Sequence, residues 1–531
     1  MKNILRLAVA LLLSASLLAC GGGGGDDSPP PASKPALTFE PQVLTVNTDP
    51  GVAATATLTA RPTFATASTV YVVVNDPVGV ITTAVQITQR SDGSYSAQLT
   101  ISPKLGVGRY TGNIQVMVCP VANCSQQFAG SPVMAPYDIT VGSPTNLTPL
   151  VRDNSVPEWG MHQGSAAHTG YVPGVLDASK FNVRWRWVAA DTGAQVSPPV
   201  VSNDSVYVTT SGYFASVSRL HALREQDAST RWSHDFGAVF AVNPPAVFNG
   251  SVYAASSGHE DTAMWSFNAA DGTLRFRTPF NSQWEHYYAP TLVGDMVYTN
   301  GGYYGGLQSF NTSTGVASWF TALQQYDQWT PAADDTYAYA NVGGALTTID
   351  RLTGAVVNTT VLNGFAWNSW SSYSIPVLAG GGRVLMRSGG GYNFNSPTNA
   401  LNLVKPFDGG IAWSVTGSFA TDPVVAGEVF FVGNLSPLQL EARSLVDGSV
   451  LWSWPLANSS DTGFVGNLVA TDSHVFLSTN QMTYAINRTT HQSGWSHIRA
   501  GHKTISPNGV MYISTVKSGA SDGGLTAINL R

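Results

Sequence analysis

Charge is scarce in this chain. Of its 531 residues, 26 are Lys or Arg and 32 are Asp or Glu, about half the charged share of an ordinary soluble protein. No basic block occurs anywhere, and nucleic-acid binding needs a basic patch to neutralise phosphates, so that partner class is excluded. Cysteine is scarcer still, at three. Cys119 and Cys124 form a CxxxxC pair with no second Cys or His pair nearby, which argues against a metal half-site. No G-x-S-x-G elbow, P-loop or H-E-x-x-H motif is present. The glycine runs "NGGYYGG" and "RSGGGYN" lie between strand patterns and open no helix, so they cradle no phosphate. His259, Glu260 and Asp261 stand together in "SGHEDTA", but neighbours on a strand point to opposite faces, and they read as a solvated loop.

The chain is rich instead in glycine, with 53, and in Val, Thr, Tyr, Trp and Phe. That balance predicts strands and turns rather than long helices. The length suits two or three domains.

Residues 1–19 read as an export signal, with Lys2 and Arg6 ahead of an apolar run too short to be a dedicated membrane anchor. "LLAC", ending at Cys20, resembles the lipobox of bacterial lipoproteins. The resemblance implies cleavage before Cys20 and its acylation, hence anchoring in the outer membrane, facing the periplasm or displayed at the surface. Residues 20–36, "CGGGGGDDSPPPASKPA", form a flexible and then extended tether.

Residues 37–143 alternate in short strands such as "LTVNT", "TVYVVVN" and "YSAQLTI", with turn residues every ten or so positions. They predict an immunoglobulin-like β-sandwich, with Cys119 and Cys124 as a disulfide closing a loop in an oxidising compartment. A polar linker covers 144–158.

From 159 to 531 the sequence repeats itself. Unit ends recur as "LHALREQDASTRW", "SFNAADGTLRF", "SFNTSTGVASW", "TIDRLTGAVV", "NLVKPFDGGIAW", "ARSLVDGSVLW" and "YAINRTTHQSGW". Unit starts recur as an apolar hairpin, as in "NPPAVFNGSVYA" and "YAPTLVGDMVYT". The eighth copy, "LTAINLR", stops before its last strand, and "FNVRWRW", ending at Trp187, can supply it. Four strands per unit cannot bury both faces alone, so units must stack. The prediction is all-β, with an eight-bladed β-propeller after the sandwich, closed so that no long edge is free. In "SFNAADGTLRF" the pair Asp271-Gly272 could suggest a ligand loop. The same slot holds Thr314-Gly315, Thr353-Gly354, Asp408-Gly409 and Asp447-Gly448, so the glycine, not the acid, is what the turn requires.

The pattern Ala-Leu-Asp-x-x-Thr-Gly-x-x-x-Trp resembles the PQQ-like, or quinoprotein-type, propeller repeat. "EWGMHQGSAAHTGY" resembles the segment ahead of the first blade in bacterial members. The family includes PQQ-dependent alcohol dehydrogenases and non-enzymatic lipoproteins such as the outer-membrane assembly factor BamB. The dehydrogenase branch would imply PQQ with a Ca²⁺ held by Glu, Asn and Asp side chains, a further Asp as base and a Trp on the quinone. No such constellation can be placed, and there are no long substrate-binding insertions. The expectation is therefore a non-catalytic binding or scaffold propeller without cofactor or metal, a monomer within a larger envelope complex, with a PQQ-dependent dehydrogenase as the alternative.

Three connections between units are strongly aromatic: Trp284, His286, Tyr287 and Tyr288 in the first, Tyr326 and Trp329 in the second, and Trp367, Trp370 and Tyr373 in the third. They should converge on one mouth of the channel. They form either a recognition surface for a protein or glycan partner, or a set of rings that fill the funnel.

Overall fold

In the computed structural model of the chain, residues 5–9, 36–48, 54–63, 70–76, 78–82, 86–90, 92–102, 105, 108–142, 147–189, 195–211, 218–258, 261–282, 288–325, 328–363, 374–388, 399–456, 460–497, 499–515 and 523–531 are described. The chain divides into two compact units, Met1–Thr145 and Asn146–Arg531. Cys20 lies outside the described residues.

The first unit holds two sheets. One runs in the order Leu5–Val9, Val70–Asn75, Gly108–Cys119, Val133–Val141, Leu44–Thr48, its last pair parallel and the rest antiparallel. The other runs Leu37–Glu40, Thr55–Pro62, Tyr95–Thr100, Gln86–Gln89. Alternation drives the fold: along Val133–Val141 every second residue is buried, and Val73, Leu99, Ile114, Tyr137 and Ile139 supply core. Cys119 and Cys124 are joined in a disulfide.

The second unit is nearly all strand; its described helix is one turn of 3₁₀, Ala178–Lys180. Its strands fall into eight antiparallel sheets among the described residues. In each, a short inner strand, split into two segments in the first two sheets, pairs with the next, and two further strands follow outwards. Inner strands neighbour one another in sequence order, from Val200–Ser202 to Ala246–Phe248, Thr291–Val293, Ala332–Ala333 and Val377–Leu378. Val377 and Leu385 share a core cluster with Val425 and Phe430 of the next sheet. Gly501–Ile505 of the eighth sheet returns to Val200–Ser202 of the first. The sheets thus close a ring, a β-propeller. Asn182–Val188 pairs with Gly524–Asn529 and completes the eighth sheet from the other end of the unit.

The joint between sheets explains the repeated turn. Gly272, Gly315, Gly354 and Gly448 all have φ between +71° and +75°, a region costly to residues with a Cβ. A Cβ on Gly272 would also stand 2.6 Å from the Trp232 ring, and one on Gly354 2.6 Å from Trp319. The last aromatic of one unit therefore lies flat on the turn glycine of the next. Its indole N–H fixes the joint: Trp232 Nε1 donates to the Ala269 carbonyl at 3.0 Å, Trp319 to Arg351 at 3.1 Å and Trp413 to Leu445 at 3.0 Å. Phe276 has no such donor, and there the Thr278 hydroxyl donates to the Gly315 carbonyl at 2.7 Å. Asp271 serves its own turn, accepting the Thr273 N–H at 2.9 Å. At the ring closure the joint uses Trp185 rather than Trp187. Trp185 is 1% exposed and donates to the Glu225 carbonyl at 2.8 Å, and it follows the same register shift that marks the joint aromatics Trp232 and Trp319 in their sheets.

Candidate functional site

The segment before the first sheet is what turns the ring into a container. From Trp159 to Gly170 it passes the inner strands in order, and its carbonyls accept their N–H groups. Trp159 takes Val201 at 2.8 Å, Gly160 takes Val247 at 2.7 Å and Ala166 takes Ala333 at 2.9 Å. Ala167 takes Leu378 at 2.9 Å, Thr169 takes Val425 at 2.9 Å and Gly170 takes Ala470 at 3.0 Å. Between them the Leu292 N–H meets the Met161 sulfur at 3.4 Å. This backbone satisfies inner-strand donors that would otherwise face the channel unpaired, and it floors one end of the ring.

Above the floor lies a cavity of about 650 Å³, lined from the entry segment and from several sheets. His162 and Gln163 form its base. The His162 ring stacks on Tyr288 at 4.8 Å and meets His168 edge-on at 5.5 Å. His502, on the inner strand of the eighth sheet, also lines the cavity. Burial holds all three imidazoles below the ordinary value, His168 and His502 at about 4, so they are neutral at pH 7. The wall carries one opposed pair: desolvation raises the Asp422 carboxyl, and the Arg387 charge opposes that rise. The Arg387 guanidinium donates to the Phe419 carbonyl at 3.1 Å. The rest mixes amides, hydroxyls and prolines with apolar side chains, Val196, Val242, Val465 and Phe464 among them.

Tyr288 lines this cup, stacked on His162 of its base. Trp329 does not lie on a recognition surface: it is 1% exposed and packs with Met296, Tyr298, Leu307 and Ile349. Its indole is large enough to fill the gap between two sheets, and that use wins over exposure. Trp284, His286, Tyr287, Tyr326, Trp367, Trp370 and Tyr373 lie outside the described residues, as do His259 and Glu260. Asp261 is exposed. His162, Gln163, His502 and the Arg387–Asp422 pair were not foreseen, since they recur in no unit. For His162 and Gln163 the sequence signal was the resemblance of "EWGMHQGSAAHTGY" to the segment ahead of the first blade; His502, Arg387 and Asp422 lie outside that segment and had none.

A family model described as outer membrane protein assembly factor BamB matches residues 216–453. The matched residues lie within the second unit and agree with the propeller that its sheets form. Solved structures similar to it include BamB from Moraxella catarrhalis, at 14% identity and a TM-score of 0.49, covering 66% of this chain and 99% of that one. Quinohemoprotein alcohol dehydrogenase from Comamonas testosteroni aligns at 14% identity and a TM-score of 0.40, covering 70% and 80%. A europium-containing methanol dehydrogenase aligns at 11% identity and a TM-score of 0.36, covering 70% and 98%. No curated protein matches the chain.

The propeller's cup can be compared with the Ca²⁺–quinone site that the dehydrogenase resemblance implies. A calcium site takes six to eight oxygen ligands, carboxylates prominent among them. Among the described residues the cup offers one carboxylate, Asp422, and it faces Arg387. No group of three His, Cys, Asp or Glu side chains converges anywhere among the described residues. This donor set does not fit the cofactor.

Proposed function

We propose that the chain is a non-catalytic cell-envelope lipoprotein whose eight-bladed propeller binds or scaffolds partners. In this reading Cys20 carries the lipid anchor in the outer membrane, an immunoglobulin-like sandwich follows the tether, and the ring faces the periplasm. The single observation that carries it is the match of residues 216–453 to the BamB family model. A role in outer-membrane protein assembly is the version that match favours, and an envelope glycan is the other partner class. The poor fit of the cup's donors to a Ca²⁺–quinone site supports a propeller that works without PQQ. A rigid ring held by a tether meets its partners at a raised effective concentration.

The two faces of the ring can be tested separately. Tyr304, 82% exposed, lies in a turn between second and third strands on the open side. Val446, 72% exposed, lies in a turn between third and fourth strands on the floored side. A photo-crosslinking side chain at Tyr304 should capture an envelope partner in intact cells, and one at Val446 should not. Absence of any crosslink from Tyr304 overturns the scaffold reading. So does purified protein that takes up PQQ with Ca²⁺ and reduces a dye.

A further inference from the structure

The geometry points to a second, separate activity: the floored cup binds a short, uncharged saccharide. The chemistry of the wall selects the ligand class. An apolar ligand would bury polar groups such as the Gln195 amide and the His502 imidazole without exchanging their water for new bonds, at a cost of about 1–3 kcal/mol each. An anion or cation would need a net charge in the wall, yet the described lining carries one opposed pair, Arg387 and Asp422, and imidazoles that are neutral at pH 7. A ligand dense in hydroxyls both donates and accepts, which matches amides and neutral imidazoles. Neither the Gln195 amide nor the His502 imidazole has an intramolecular hydrogen-bond partner among the described residues, and both line the cup. The buried His162 Nε2 is likewise unpartnered.

Shape agrees with chemistry. The Tyr288 and His162 rings are stacked at 4.8 Å with 29° between planes, and they present a flat, weakly polar surface against which the C–H face of a pyranose can lie. The volume of about 650 Å³ is that of a small-molecule site. The continuous floor from Trp159 to Gly170 makes the cup blind, so a chain can enter by its end but cannot thread through. This site needs no protein partner, and its test does not depend on the crosslinking experiment.

The probes are maltotriose, cellotriose and chitotriose, each titrated into the purified propeller-containing chain by calorimetry and by saturation-transfer NMR. At least one should bind at up to millimolar concentration. His502→Ala and, separately, the exposed-position variant Gln195→Ala should each weaken it at least tenfold with an unchanged unfolding midpoint. Trigalacturonate, which carries three carboxylates, should bind at least tenfold more weakly than the best neutral trimer. The inference is overturned if none of the three neutral trimers binds, or if binding survives both variants. It is also overturned if N-acetyl-trialanine amide binds in their place, which would make the cup a peptide site.

Discussion

The residue that reports most directly on the centre of the ring is His168. It is fully buried, its Nδ1 lies 3.2 Å from the Pro376 carbonyl and its Nε2 3.4 Å from the Thr291 hydroxyl. A carbonyl can only accept, so Nδ1 carries the hydrogen and donates it. Burial lowers the imidazole from 6.5 to about 4. The unfolded chain therefore binds this proton more readily than the folded one. Stability from His168 is full above the ordinary imidazole value and is lost as pH falls from there towards 4, by about 3 kcal/mol in all. His162 and His502 act with the same sign. Asn in place of His168 can keep a donor towards Pro376 and has nothing to titrate. The urea midpoint of His168→Asn should fall less than that of the natural chain between pH 7.5 and pH 4.5. An equal fall would show that this imidazole is not the acid-sensitive group.

At the scale of the element, the turn glycine does two jobs that separate by mutation. Gly272 has φ +75° and lies under the Trp232 ring, where a Cβ would come within 2.6 Å. Gly409 has φ +83°, and a Cβ there would meet nothing within 4 Å. Gly409→Ala should thus cost only the left-handed backbone, about 1–2 kcal/mol. Gly272→Ala should cost that plus displacement of a packed indole, about 3–4 kcal/mol in total. Equal losses in chemical denaturation would mean that the sheet joint contributes nothing. This also marks how far the sequence could be read. The strands, the hairpin turns and the requirement for glycine were legible because each recurs unit after unit with a local reason. Ala228 and His491 occupy the same slot at φ +60° and +56°, so the backbone requirement alone does not dictate glycine. The second reason, a neighbour's indole on the turn, depends on contacts between units and has no local signature. Trp329 shows the same limit: an aromatic in a connection reads alike whether it faces a partner or fills a gap.

On the scale of the molecule, the residues between 147 and 188 hold the ring shut in two ways. The carbonyls of Trp159 to Gly170 sew six inner strands to one floor, and Asn182–Val188 completes the eighth sheet. The second closure was legible, because a missing strand at one end and a spare one at the other leave one solution. The floor was not, because its bonds run through backbone carbonyls that any residue carries. A closed ring differs from an open stack in how it fails. In an open stack each unit leans only on its neighbours and can fray from an end, whereas a ring with a sewn floor has no end to fray. Trp185 sits at the seam, 1% exposed and bonded to the Glu225 carbonyl at 2.8 Å. Its truncation in Trp185→Ala should cost about 3–5 kcal/mol, and the loss should be felt by every sheet at once. All 14 tryptophans of the chain fall between Trp159 and Trp495, so tryptophan fluorescence follows the ring without the first unit. Urea unfolding of Trp185→Ala followed by fluorescence should remain a single transition, shifted to a lower midpoint. Two transitions would show that the sheets next to the seam separate before the rest, and that the floor does not couple them.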